Sequence, residues 1–170
     1  EENAFTSDDY TAYYQVLARD RLGVAFELEA DRLASLKLPA EEFKREIEVI
    51  KEERRQRTDD KPSALAYERF KAMAYPASGY HNPTIGWMAD LQRMQIDQLS
   101  DWYKAWYAPN NATLVVVGDV SVDEVKVLAE RYFGHIPRRS VPPARQPLEL
   151  VEPGERRITL QVKTQLPSLL

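Results

Sequence analysis

The stretch that most constrains this chain runs from Glu41 to Thr58, EEFKREIEVIKEERRQRT, just after Pro39. Phe43, Ile47 and Ile50 recur at spacings of four and three, which predicts one long helix whose apolar stripe faces a core. Glu46 and Glu53 are separated by almost two helical turns, so both carboxylates project from nearly the same side, with Val49 and Ile50 between them. Helices rich in Glu, Lys and Arg are ordinarily solvated, and Glu41–Arg45 and Glu53–Arg57 have the i,i+4 spacing of supporting ion pairs. The aligned acids beside apolar residues fit a second reading, in which they are functional carboxylates.

The rest of the chain supplies a mixed framework. Asn3 to Ala18 is rich in Thr, Tyr, Phe and Val and predicts two strands, with Ser7-Asp8-Asp9 as the turn between them. Arg19 to Leu36 predicts an amphipathic helix on Leu22, Ala25, Phe26, Ala30 and Leu33, interrupted by Glu29. Pro62 suits the first turn of a helix over Ser63 to Ala74, with Leu65, Phe70 and Met73 as core residues. Tyr75 to Pro83 is loop by composition, followed by short helices over Thr84–Met94 and Asp97–Trp106. Ala112 to Val117, ATLVVV, predicts a strand buried on both faces. Ser121 and Glu124 form a capping box for a helix to Phe133, closed by Gly134. Residues 137–154 hold five prolines and predict an extended connector. Arg156 to Thr164 alternates Ile158, Leu160 and Val162 with polar residues, the pattern of a strand. The expected class is α+β, a mostly antiparallel sheet covered by helices, with residues 1–170 as a single domain.

Composition narrows the chemistry. The hydrophobic fraction is 44% and the charged fraction 29%, enough apolar material for a core. A net charge of −4 argues against a nucleic-acid partner. The absence of cysteine excludes disulfides, Cys-based zinc sites and thiol nucleophiles. No apolar run approaches the length of a membrane span, and no leader pattern is visible. His81 and His135 are too far apart for an H-x-x-E-H or H-E-x-x-H pair. His81 reads as a loop residue, and His135 follows a helix end where a cation is favoured. G-x-S-x-G, G-x-G-x-x-G and Walker A patterns are all missing. Glu46 and Glu53 remain the leading chemical candidates.

Several segments, in order, resemble the pitrilysin/insulinase-type zinc metallopeptidases, the family that includes mitochondrial processing peptidase. Asn3-Ala4-Phe5-Thr6-Ser7 is similar to the family's N-A-x-T-S strand. Glu46 to Glu53, EIEVIKEE, resembles its E-R-x-V-I-x-E-E helix, with Ile47 in place of the usual Arg. Pro83-Thr84-Ile85-Gly86 resembles P-x-I-G. Trp106 to Ala112 with Val115 to Asp119 resembles the W-Y-x-P-N-N-A…V-V-G-D block. The set spans much of the chain, and its order is more specific than any one piece.

The resemblance implies a zinc endopeptidase that hydrolyses peptides. It assigns Glu53 as the third metal ligand and Glu46 as a nearby glutamate one contact removed from the metal. Catalytic zinc takes three protein ligands and keeps a place for water. The resemblance also implies that Asn3, Ala4 and Phe5 form a sheet edge to which an extended peptide substrate adds as a strand. The plainer reading makes Phe5 a core residue and Asn3 a strand end. In the family the H-x-x-E-H segment, with two histidine ligands and the general base, lies upstream of the N-A-x-T-S strand, and it is absent here. The expectation is therefore an N-terminal domain truncated at both ends, without catalytic residues of its own, and with Zn2+ held in the complete protein but not by this chain. The alternative is a non-catalytic partner or assembly subunit of the same family. A second similar domain or subunit, self-association through exposed apolar surface, and a periplasmic or otherwise exported location are further expectations.

Overall fold

The computed structural model describes residues 1–143 and 154–164. They gather into two compact units, one of residues 1–39 with 95–143, the other of residues 40–94 with 154–164. Most of the expected connector, residues 144–153, lies outside the described residues.

In the first unit β1 (Glu2–Thr6) and β2 (Thr11–Gln15) pair antiparallel, with Asn3 opposite Tyr14 and Phe5 opposite Ala12. Ser7 closes the turn: its N–H donates to the Tyr10 carbonyl at 2.9 Å, and its Oγ accepts from the Tyr10 N–H at 3.3 Å. Helix α1 (Leu22–Ser35) buries Phe26 and Ala30 from the expected stripe. Phe26 meets Phe133 edge-on, ring centroids 6.1 Å apart, at the end of α6 (Val122–Phe133). Burying such a ring contributes about 1.5–3 kcal/mol. Glu29 fastens the helix to the hairpin rather than breaking the stripe. It accepts from Gln15 Nε2 at 2.9 Å and from Arg32 Nε at 3.1 Å. Arg32 also reaches Glu2 at 2.6 Å and lies over the Tyr13 ring.

Helix α5 (Ile96–Trp106) closes the other end of α1. The buried Tyr103 hydroxyl sits 2.8 Å from the Arg32 carbonyl and 3.0 Å from that of Leu33, and accepts from the Leu36 N–H at 3.3 Å. It thereby satisfies backbone groups that a helix end leaves without partners. The Tyr107 hydroxyl bonds to that of Tyr13 at 2.7 Å. Burial, with that bond second, raises the Tyr107 pKa above its usual value. The A-P-N-N segment also has a local use. Asn111 Nδ2 donates to the Trp106 carbonyl at 2.9 Å, capping α5. The Asn110 amide makes two bonds to the Arg139 backbone, at 3.1 and 3.0 Å.

The second unit holds α2 (Ala40–Arg54), a π-helical turn (Arg55–Asp59), α3 (Pro62–Ala74) and the short α4 (Met88–Leu91). Pro62 occupies the first turn of α3 as expected. Ile47 and Leu91 are its buried apolar side chains among the described residues.

Five expectations need correction. The long helix is α-helical only to Arg54 and then widens, with the Asp60 N–H donating to Arg55 O at 2.8 Å. The helix expected over Thr84–Met94 shrinks to α4. Pro83–Gly86 instead closes a turn through Gly86 N–H and Pro83 O at 2.8 Å, with Gly86 at φ +86°, a value that suits glycine. Phe70, expected in the core, is exposed and packs beside Tyr67 on its own helix. Ala112–Val117 and Arg156–Thr164 are not strands: among the described residues the one sheet is β1–β2. Val115 and Val117 are largely solvent-exposed rather than buried. A strand exists through a ladder of backbone pairs, and neither run is part of a sheet among the described residues. The α+β class stands, with a two-stranded antiparallel sheet and helices.

Candidate metal centre

Glu53 occupies the last α-helical turn of α2, one residue before the buried Arg54. Its side chain is 36% exposed and its carboxylate pairs with Arg57 at 2.6 Å, as the i,i+4 spacing predicts. Arg57 is itself 73% exposed, so a solvated partner holds the acid and can leave it. Glu46, one and nine-tenths turns earlier, is also exposed, as is Val49 between them. Ile50 is half-buried and Ile47 buried, so the two acids border the packed stripe on its open side. Nearer the start of the helix the predicted Glu41–Arg45 pair gives way to i,i+3 pairs. Lys44 reaches Glu41 at 2.7 Å, and Arg45 takes Glu42.

Arg54 continues the Ile47 and Ile50 stripe, at i+7 and i+4, and is 3% exposed. Its Nη1 and Nη2 donate to Glu68 Oε2 and Oε1 on α3, at 2.8 and 3.0 Å, a bidentate pair. Nη1 also donates to the Gly86 carbonyl at 2.9 Å, and Asp59 in the π turn lies 3.4 Å from Nη2. Nε has no hydrogen-bond partner among the described residues. The Glu68 hydrogen bonds outweigh burial and raise the Arg54 pKa. The indole of Trp87 receives both Arg54 and Arg69 near its face. Sequence reasoning passed over Arg54 and Glu68. The available signal was a charge on each apolar stripe: Arg54 in line with Ile47, and Glu68 three residues after Leu65.

The other candidates fall as follows. The His81 Nδ1 lies 2.7 Å from the Ser78 carbonyl, so this nitrogen carries the proton of a loop-tying bond. His135 is exposed beyond Gly134. Phe5 is 49% exposed and rests edge-on against Tyr10, which removes the core reading. Glu1 and Val16 exchange both backbone bonds, so Asn3 and Phe5 face β2 while Glu2, Ala4 and Thr6 turn their backbone groups to the outer edge. The Ala4 N–H donates to the Asn3 side-chain oxygen at 2.8 Å.

As a metal donor, Glu53 fits singly: a carboxylate oxygen suits zinc, and its present partner is a solvent-exposed cation. No group of three His, Cys, Asp or Glu stands within reach of one ion among the described residues. Catalytic zinc takes three protein ligands, and among the described residues no such set gathers around Glu53.

Known proteins resolve what such a helix belongs to. Residues 1–86 match the family model described as Insulinase (Peptidase family M16), and residues 93–170 match that of the Peptidase M16 inactive domain. The zinc protease PqqE of Helicobacter pylori is 38% identical over 131 residues, 77% of this chain and 30% of that protein. The crystal structure of a protease from Helicobacter pylori aligns with a TM-score of 0.82 at 34% identity, covering 88% of this chain and 36% of that one. The first half of the periplasmic protease PqqL from Escherichia coli shares the fold, with a TM-score of 0.75 at 22% identity over 89% of this chain and 33% of that one. The chain spans about a third of the length of the curated relatives it matches. On the match over its first 86 residues, with the E-x6-E helix carried on α2, the chain belongs to the insulinase (M16) peptidase family.

Proposed function

We propose that this chain is part of a zinc-dependent endopeptidase that hydrolyses peptides, and that Glu53 is its contribution to the metal. The supporting observation is Glu53 itself, a half-exposed carboxylate on a helix turn fixed from within by Arg54, in a chain of the M16 family. Bound zinc would lower the pKa of a water molecule and polarise the scissile carbonyl. Glu53 supplies one anionic oxygen toward that ion. Glu46, on the same side of α2, orients the groups around it. The histidine ligands and the base that removes the water's proton come from elsewhere in the full-length protein. On this reading residues 1–170 do not cleave peptides by themselves.

The outer edge of β1 at Asn3–Phe5 is the place for an extended peptide, whose backbone would pair with the groups of Glu2, Ala4 and Thr6. Ala4 would release the Asn3 side chain as it does so. A second similar domain or subunit encloses the peptide. The named relatives include a periplasmic protease, which supports an exported location. No helix among the described residues is long and apolar enough to cross a membrane.

The test is metal removal from the full-length protein. Cleavage of a quenched peptide library is expected to stop on treatment with a zinc chelator and to return with added Zn2+. Undiminished cleavage by protein verified as metal-free would overturn the reading. The rival reading is a non-catalytic partner or assembly subunit of the same family. A zinc-loaded full-length protein that cleaves nothing would support that rival.

A further inference from the structure

We infer that Arg54 and Glu68 are positioning residues for the Glu53 carboxylate, acting through the last turn of α2. The inference rests on the reading of Glu53 as a zinc ligand.

Three features of the second unit lead to it. Arg54 and Glu68 are its buried charged pair, at 3% and 7% exposure, and no step of peptide hydrolysis uses them. They are held bidentately, and Arg54 adds the Gly86 carbonyl, so one guanidinium ties α2 to α3 and to the loop before α4. The tie falls where α2 changes from α to π geometry, with Asp59 of the π turn beside the same guanidinium. Helix ends fray, and a change of helical pitch relaxes easily in either direction. Glu53 adjoins this junction and its own partner is a surface arginine. What fixes the direction of its carboxylate is the rotation of the last α turn, and Arg54 fixes that rotation.

Apolar residues of similar volume commonly serve stability as well as a buried ion pair or better. What apolar contacts cannot do is set angle, because dispersion is non-directional while a two-pronged guanidinium–carboxylate pair is planar. Lysine keeps the charge but cannot satisfy Glu68 at both oxygens and Gly86 together. Glutamine at 68 keeps size and shape but loses the charge and one acceptor.

The experiment uses the full-length protein carrying Arg54→Lys, Glu68→Gln or, as reference, Glu53→Gln. Zn2+ affinity is measured by chelator competition. Co2+ substitution reports ligand geometry through its visible absorption, and near-UV circular dichroism checks folding. The expected result for both positioning variants is a folded protein with zinc affinity lowered about 10–100-fold, the range for residues supporting a metal ligand. An altered Co2+ spectrum and a lower kcat at nearly unchanged KM should accompany it. If Arg54→Lys does not fold, Glu68→Gln decides. Zinc affinity and Co2+ spectrum equal to the parent's in folded Glu68→Gln, while Glu53→Gln loses zinc, would overturn the positioning role and leave the ligand reading intact. Full zinc affinity in Glu53→Gln would remove the ligand reading itself, and the positioning role with it.

Discussion

Ser121 and Glu124 show how much a single side chain can settle. The Ser121 hydroxyl accepts from the Glu124 N–H at 3.2 Å, and the Glu124 carboxylate accepts from the Ser121 N–H at 2.8 Å, so two of the backbone donors at the start of α6 that lack helical partners are satisfied. Ser121→Ala should destabilise the protein by about 1 kcal/mol in urea unfolding; an unchanged midpoint would contradict the cap. The Ser121 bonds, with Arg19 next, hold the Glu124 carboxyl down at about 2. A depressed folded pKa stabilises above the unfolded value of 4.5 and loses that contribution as pH falls toward 2. An NMR titration of the Glu124 carboxyl carbon should therefore show a midpoint far below 4.5, and a midpoint near 4.5 would refute the arrangement. This cap was legible in the sequence because it is local, an S-x-x-E read within one turn. Arg54 was not, because its partners are Glu68 and Gly86, far along the chain. Only its place on an apolar stripe gave a hint.

Among the elements, α1 depends on a residue from another helix. Tyr103 bonds the carbonyl end of α1, so Tyr103→Phe should cost about 1–2 kcal/mol and speed amide exchange in the last turn of α1. Exchange unchanged there would argue against the cap. Helix periods were readable because a helix satisfies its own hydrogen bonds. The hairpin was readable because its partner strand follows after a short turn. The runs Ala112–Val117 and Arg156–Thr164 misled for the complementary reason: apolar alternation reports a capacity to pair, and pairing needs a distant neighbour. The turn at Gly86 overrode helix propensity by a positive φ that periodicity does not register. Of the candidate site, the spacing of Glu46 and Glu53 was visible. The ligand role proposed for Glu53 rests on resemblance, since one carboxylate carries no metal signature alone.

At the scale of the molecule, the M16 framework gives the exposed features a common meaning. Val115 and Val117 stand in solvent, and β1 has a free edge among the described residues. Exposed apolar runs and unpaired edges favour association. Residues 1–170 alone should self-associate in sedimentation, and a clean monomer at high concentration would contradict this. The central claim concerns Glu53 and is tested most directly by zinc stoichiometry. Full-length parent protein, Glu46→Gln and Glu53→Gln would each be equilibrated with buffered Zn2+ and analysed by emission spectrometry. The account predicts one zinc per chain in the parent, a weakened but measurable fraction in Glu46→Gln, and close to none in Glu53→Gln at the same free zinc. Glu53→Gln retaining a full equivalent of zinc, with undiminished peptide cleavage, would contradict it.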